Sequence, residues 1–85
     1  MTREEIKAIV LLALGEIAPE ADLTKIKPDS RIRDQVDLDS MDMLNFMIAL
    51  HKAMKIEIPE ADYQKLLTVH DCTEYLLSRQ GSKTP

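Results

Sequence analysis

Apolar residues recur at helical spacing in three long stretches of the chain, and a shorter stretch follows a proline. Ile6, Ile9, Val10, Ala13 and Ile17 share one face of a helix read over residues 3–17. Thr2 and Glu5 start it as a capping box, in which the hydroxyl accepts from the Glu5 amide and the Glu5 carboxylate reaches back to Thr2. Pro19 stops it. Residues 40–54 hold neither Gly nor Pro and are rich in Met, Leu and Ala, which predicts a second long helix capped by Asp39 or Ser40. Ile58-Pro59-Glu60 reads as the entry to a short third helix that ends near Leu66. A last helix starts at Thr68, whose spacing to Asp71 matches another capping box. It turns Val69, Cys72, Leu76 and Leu77 inward and ends at Gly81.

Between the first two helices, residues 18–39 show no helical period. Pro28 and a scatter of charges interrupt them, and isolated anchors stand at Leu23, Ile26, Ile32, Val36 and Leu38. A loop this long inside a small domain is uncommon and often functional. The anchors predict a strap laid over the bundle, with one short turn near Asp29 to Arg33. The expected architecture is all-α, a small four-helix bundle with a long loop between helices 1 and 2 and a short third helix. Residues 1–80 form a single domain in this reading, and residues 81–85 a flexible tail.

The helix over 40–54 has more apolar residues than one buried stripe uses. At about 100° per residue, Met43, Phe46, Met47, Leu50 and Met54 gather on one side. Met41, Leu44 and Ile48 gather on another, roughly 130° away. The first stripe faces the core in this reading, and the second forms an apolar strip for a partner unless the long loop covers it.

Composition narrows the class. Fifteen acidic against eleven basic residues give a net charge of −4, which argues against nucleic acid as a partner. The excess is local: Asp34, Asp37, Asp39 and Asp42 fall within nine residues that hold no Lys or Arg. No apolar run is long enough to span a membrane, and the first residues lack the order of a secretory signal, so a cytoplasmic location is expected. One Cys and two His exclude an internal disulfide and a structural zinc site. Cys72, on an inward face, reads as a small buried hydrophobe. His51 and His70 read as surface residues, and no metal site is expected.

Asp39-Ser40-Met41 opens the second helix, after a long acidic loop and beside the second apolar stripe. With Phe46-Met47-Ile48-Ala49-Leu50, Ile56-Glu57-Ile58-Pro59 and Thr68-Val69-His70-Asp71, it resembles the acyl carrier protein family over about residues 3–80. In that family an Asp-Ser-Leu serine at the start of helix 2 carries 4′-phosphopantetheine; here Met41 stands for the Leu, a volume-conserving change. The resemblance implies that Ser40 is modified from coenzyme A by a separate phosphopantetheinyl transferase with Mg²⁺, that Asp39 supports the modification, and that the thiol of the arm holds cargo as a thioester. The domain itself is then not an enzyme. It implies further that partner ligases, synthases and transferases read Met41, Asp42, Leu44 and Ile48, while Met43, Phe46, Met47 and Leu50 line the interior that shelters cargo. The carrier is expected to be a monomer.

The chain departs from the family at several positions. Asn45 and His51-Lys52-Ala53 stand where carriers of fatty-acid synthesis commonly show Glu, which points to a specialised member. Asp37-Leu38 replaces a Gly-containing pair, and Leu38-Asp39-Ser40-Met41 is reminiscent of free-standing aminoacyl carriers such as D-alanyl carriers. Fatty acyl, polyketide and aminoacyl cargo all remain open on the motif. Two rivals are an unmodified helical interaction module and a small hydrolase using Ser40, the latter lacking any evident base or oxyanion device.

Overall fold

A computed structural model describes residues 1–81; the tail expected over 81–85 falls, from Ser82 onward, outside the described residues. The elements run α1 Arg3–Ile17, a 3₁₀ turn Leu23–Lys25, α2 Ile32–Gln35, α3 Ser40–Met54, a 3₁₀ helix Glu60–Lys65 and α4 Val69–Gly81. The described residues contain no β-strand, and the architecture is all-α.

The capping box of α1 forms in both directions: Glu5 N–H donates to Thr2 Oγ1 at 3.2 Å, and Thr2 N–H to Glu5 Oε1 at 2.8 Å. The helix buries Ile6, Val10, Ala13 and Leu14, with Ile9 and Ile17 packed along the edges of that face. Leu14 was not in the stripe read from spacing; it joins because the helix is covered on two sides, by α4 and α3. Phe46 and Leu50 of α3, Leu66, and Leu76 of α4 close the core and are fully buried. Each such side chain contributes about 1.5–3 kcal/mol relative to an exposed one.

The long connection is less irregular than its sequence. Ile32, Val36 and Leu38 are buried, and Leu23 and Ile26 pack against the core at half burial, so the strap forms as expected. The turn expected near Asp29 to Arg33 resolves into a turn at Pro28 and Asp29, where Ser30 N–H donates to Lys27 O at 3.4 Å, followed by the one-turn helix α2 over Ile32–Gln35. The cause is long-range. Ile32 N–H donates to Leu67 O and His70 N–H to Pro28 O, both at 2.9 Å, and Arg31 forms an isolated antiparallel bridge with Thr68. These bonds pin Pro28, Arg31 and Ile32 against the start of α4, and α2 begins directly after Arg31. The Gln35 side chain then fastens the strap to itself, accepting from Lys27 N–H at 2.6 Å and donating to Lys27 O and Ser30 O at 2.9 and 3.0 Å.

The short third helix is 3₁₀, not α, and none of its residues is fully buried. Asp62 ties it to α4, accepting from Tyr75 Oη at 2.5 Å and from Arg79 at 3.0 Å, with Lys65 at 3.4 Å. Arg79 also lies over the Tyr75 ring, 4.8 Å from its centre. Helix α4 begins at Val69, one residue after Thr68, whose hydroxyl accepts from Asp71 N–H at 2.9 Å. Buried Thr73 satisfies its hydroxyl by donating to Val69 O at 2.8 Å. The free ends of α1 and α4 meet: Arg3 pairs with Glu74, and Met1 exchanges hydrogen bonds with the Gln80 amide.

Candidate functional site

The head of α3 is built by two aspartates. Asp39, in extended conformation, is the N-cap. Its Oδ1 accepts from Asp42 N–H at 2.8 Å, and Asp42 Oδ2 accepts in return from Asp39 N–H at 3.2 Å. This reciprocal box settles which of Asp39 and Ser40 caps the helix, and it leaves Ser40 as the first helical residue. Ser40 is exposed, and its hydroxyl makes no hydrogen bond to any described residue. Sequence reasoning missed the role of Asp42 in the cap because the usual signature pairs Ser or Thr with Glu or Gln; the Asp-x-x-Asp spacing carried the signal.

What precedes the serine is held firmly. Leu38 and Val36 are buried at 5% and 7% exposure, and Arg33 Nε donates to Leu38 O at 3.1 Å. Nothing in the local pattern announced this contact, since it depends on the one-turn helix α2 facing the loop that follows. Ser40 thus projects from a fixed backbone between a buried anchor and a regular helix.

Beyond Ser40 the two stripes of α3 separate as the wheel predicts. Phe46, Met47, Leu50 and Met54 are buried and Met43 half-buried. Met41, Leu44 and Ile48 are 63%, 39% and 40% exposed, so the loop does not cover them. A groove of about 450 Å³ runs between α3 and the second 3₁₀ helix, lined by Met47, Ile48, His51, Ile58, Pro59 and Tyr63. A smaller one of about 310 Å³ lies beside Arg31, Arg33, Met43 and Leu67. Of the four residues expected to line an interior for cargo, Met47 and Met43 border these grooves, while Phe46 and Leu50 are fully buried in the packed core.

The remaining candidates stay apart from Ser40. Cys72 is buried, with Sγ directed at Leu66 O, and burial pushes its thiol up to about 12, so the thiolate is suppressed. His51 is exposed, and its Nδ1 donates to Ile56 O at 2.9 Å, closing the end of α3. Lys55 there takes the left-handed conformation (φ 56°) and donates its N–H to His51 O. Among the described residues no group of three or more His, Cys, Asp or Glu is placed to hold a metal ion, and no helix is long and apolar enough to cross a membrane.

An exposed hydroxyl with no internal partner, one residue inside a helix N-terminus, suits esterification to a phosphate. The phosphodiester places its negative charge where the first-turn N–H groups and helix dipole favour it. The residues present therefore fit a covalently attached 4′-phosphopantetheine.

Residues 4–76 match the family described as phosphopantetheine attachment site. The acyl carrier protein of Helicobacter hepaticus is 33% identical over 75 residues, covering 88% of this chain and 92% of the relative. That of Campylobacter hominis is 33% identical over 80 residues, covering 94% and 95%. Among solved structures, an acyl carrier protein from Enterococcus faecalis superposes with a TM-score of 0.72 at 25% identity, covering 93% of this chain and 99% of that one. Family members are carriers rather than enzymes; they hold their cargo on a covalent 4′-phosphopantetheine and meet transferases and synthases. The chain, matched over most of its length and shaped like its relatives, belongs to the acyl carrier protein family.

Proposed function

We propose that this protein is a carrier, folded as one domain over residues 1–80, that receives its 4′-phosphopantetheine on Ser40. The observation that carries the reading is the Asp39–Asp42 box, which takes over capping and leaves the Ser40 hydroxyl exposed and unpaired. In the transfer the Ser40 oxygen bonds to the β-phosphorus of coenzyme A, the pyrophosphate bond breaks, 3′,5′-ADP leaves, and the hydroxyl proton passes to a base of the transferase. When bound, the group supplies a thiol that holds an acyl chain as a thioester. Asp39 supports the reaction by holding the first turn in place, and Met41, Asp42, Leu44 and Ile48 form the surface that enzymes read.

The protein acts as a cytoplasmic monomer in this reading, outside primary fatty-acid synthesis. Asn45, His51 and Lys52 support the last point, because partners that steer towards a run of carboxylates find few along this helix. Turnover by a primary ketoacyl synthase or malonyl transferase at the rate of its host's main carrier would remove it. Leu38-Asp39-Ser40-Met41, reminiscent of aminoacyl carriers, gives aminoacyl cargo as a second reading beside fatty acyl and polyketide cargo; the thioester released from protein isolated from its native cells decides among them.

The experiment that tests the site is an intact mass after incubation with coenzyme A and a broad-specificity phosphopantetheinyl transferase. One added phosphopantetheine is expected, and none in Ser40→Ala. No gain where a control carrier is modified overturns the reading in favour of an unmodified interaction module.

A further inference from the structure

The exposed face of α3 changes sign along its length. At the Ser40 end it carries Asp39 and Asp42, and at the other end His51, Lys52 and Lys55, all but the half-buried Asp42 being exposed. Between them lie Met41, Leu44 and Ile48. At about 100° per residue, Met41, Leu44, Ile48 and Lys52 fall within one strip of the helix surface, and exposed Lys55 follows at the C-cap, so the apolar residues run directly into the basic end. Each of the two carboxylates gives one oxygen to the capping box. The positive end follows the helix dipole, which favours cations at a C-terminus, and this arrangement stabilises the free protein as well as marking its surface.

We propose that the enzyme partner of this face carries a matching two-signed surface: basic groups opposite Asp39 and Asp42, an apolar contact for Met41, Leu44 and Ile48, and carboxylates opposite Lys52 and Lys55. The proposal rests on the carrier reading and names the partner that reading requires. Charge complementarity selects this occupant. A wholly basic partner gains at the first turn and loses at Lys52 and Lys55, whereas a two-signed one gains at both ends. A second copy laid antiparallel would also match the charges, but three exposed apolar side chains on one helix fall short of the roughly 800 Å² per partner that stable association needs. A small strip flanked by charge suits a brief encounter with an enzyme.

The test uses three helical peptides with one apolar face, flanked by Lys alone, by Glu alone, or by Lys at one end and Glu at the other. Binding to the full chain is read by fluorescence anisotropy at low ionic strength, with amide shifts locating the contact. The two-signed peptide is expected to bind about 2- to 5-fold more tightly than the all-Lys peptide, with shifts at Met41, Leu44 and Ile48. In Lys52→Glu/Lys55→Glu the order should reverse in favour of the all-Lys peptide, and Lys52→Glu alone, which leaves the left-handed Lys55 in place, should narrow the gap. Equal or tighter binding of the all-Lys peptide to the unaltered protein overturns the proposal. So does an unchanged order in the variants, the absence of shifts on this face, or concentration-dependent dimerisation through α3. Each of these outcomes leaves the mass gain on Ser40 unaffected, so failure here is distinguishable from failure of the carrier reading.

Discussion

Replacing Asp39 separates its duty as a cap from any duty towards the transferase. In Asp39→Ala the Asp42 amide loses its acceptor, while the Asp42 carboxylate still bonds the residue 39 amide, because that bond uses only backbone on the other side. One of two cap bonds is lost at an exposed position, so the cost is about 1 kcal/mol, or about 4–8 °C in the melting temperature of a domain this size. Against a total stability of about 5–15 kcal/mol, such a loss leaves the protein almost wholly folded at 25 °C. Any slower modification therefore cannot come from unfolding. A slower rate is expected for a local reason: serine is itself a favoured cap, and without Asp39 the Ser40 hydroxyl is free to turn inward and accept from the first-turn amides. Asp39→Asn keeps a capping oxygen and should melt within a few tenths of a kcal/mol of the unaltered protein, yet modify more slowly through loss of the carboxylate charge. The assays are thermal melting by circular dichroism and the initial rate of phosphopantetheine transfer. A melting temperature unchanged in Asp39→Ala refutes the capping argument, and an unchanged transfer rate in both variants refutes any role for Asp39 in presenting the serine.

Three further outcomes follow from contacts described above. The thiol of the modified protein should react with a disulfide reagent in a single fast phase, Cys72 joining only in denaturant; fast reaction in Ser40→Ala would contradict the burial of Cys72. Asp62 is held below the usual carboxylate range chiefly by the Tyr75 hydroxyl, and Glu74 by Arg3. A depressed native pKa adds stability above the unfolded value, near 4, that is lost as pH falls through the native one. Stability should therefore drop below about pH 4, and less steeply in Asp62→Asn, as chemical denaturation at stepped pH will show. A Cβ on Gly15 would meet Leu23 Cδ1 at 3.0 Å, the far end of a half-exposed side chain. Gly15→Ala should therefore keep most of the roughly 1 kcal/mol helix-propensity gain and raise the melting temperature, a lowered one showing that Leu23 cannot move aside.

The helices and the candidate position at Ser40 were legible in the sequence because their determinants are local. Periodicity at Ile6, Val10 and Ala13, and at Phe46, Leu50 and Met54, reports burial directly, and the two stripes of α3 came out as the wheel placed them. The strap was harder. Its anchors showed, but the position of α2 depends on Ile32 pairing with Leu67 and on Pro28 pairing with His70, across separations that no window of residues spans. The third helix likewise took 3₁₀ form, with Asp62 gripped by Tyr75 and Arg79 from α4. At the site, Ser40 was plain from its motif, whereas its release from capping required the Asp39 and Asp42 oxygens to be seen in place.

The meeting of α1 with α4 has a consequence for the order of events in folding. The first helix packs most extensively against the last, more than 50 residues further along the chain. Contacts of such long sequence separation form late and slowly. Until α4 has docked on α1, the chain carries Ser40 on a helix whose supporting core is incomplete. On the proposed reading, a transferase that recognises the folded face of α3 would load only chains whose core is complete, and loading would report on folding.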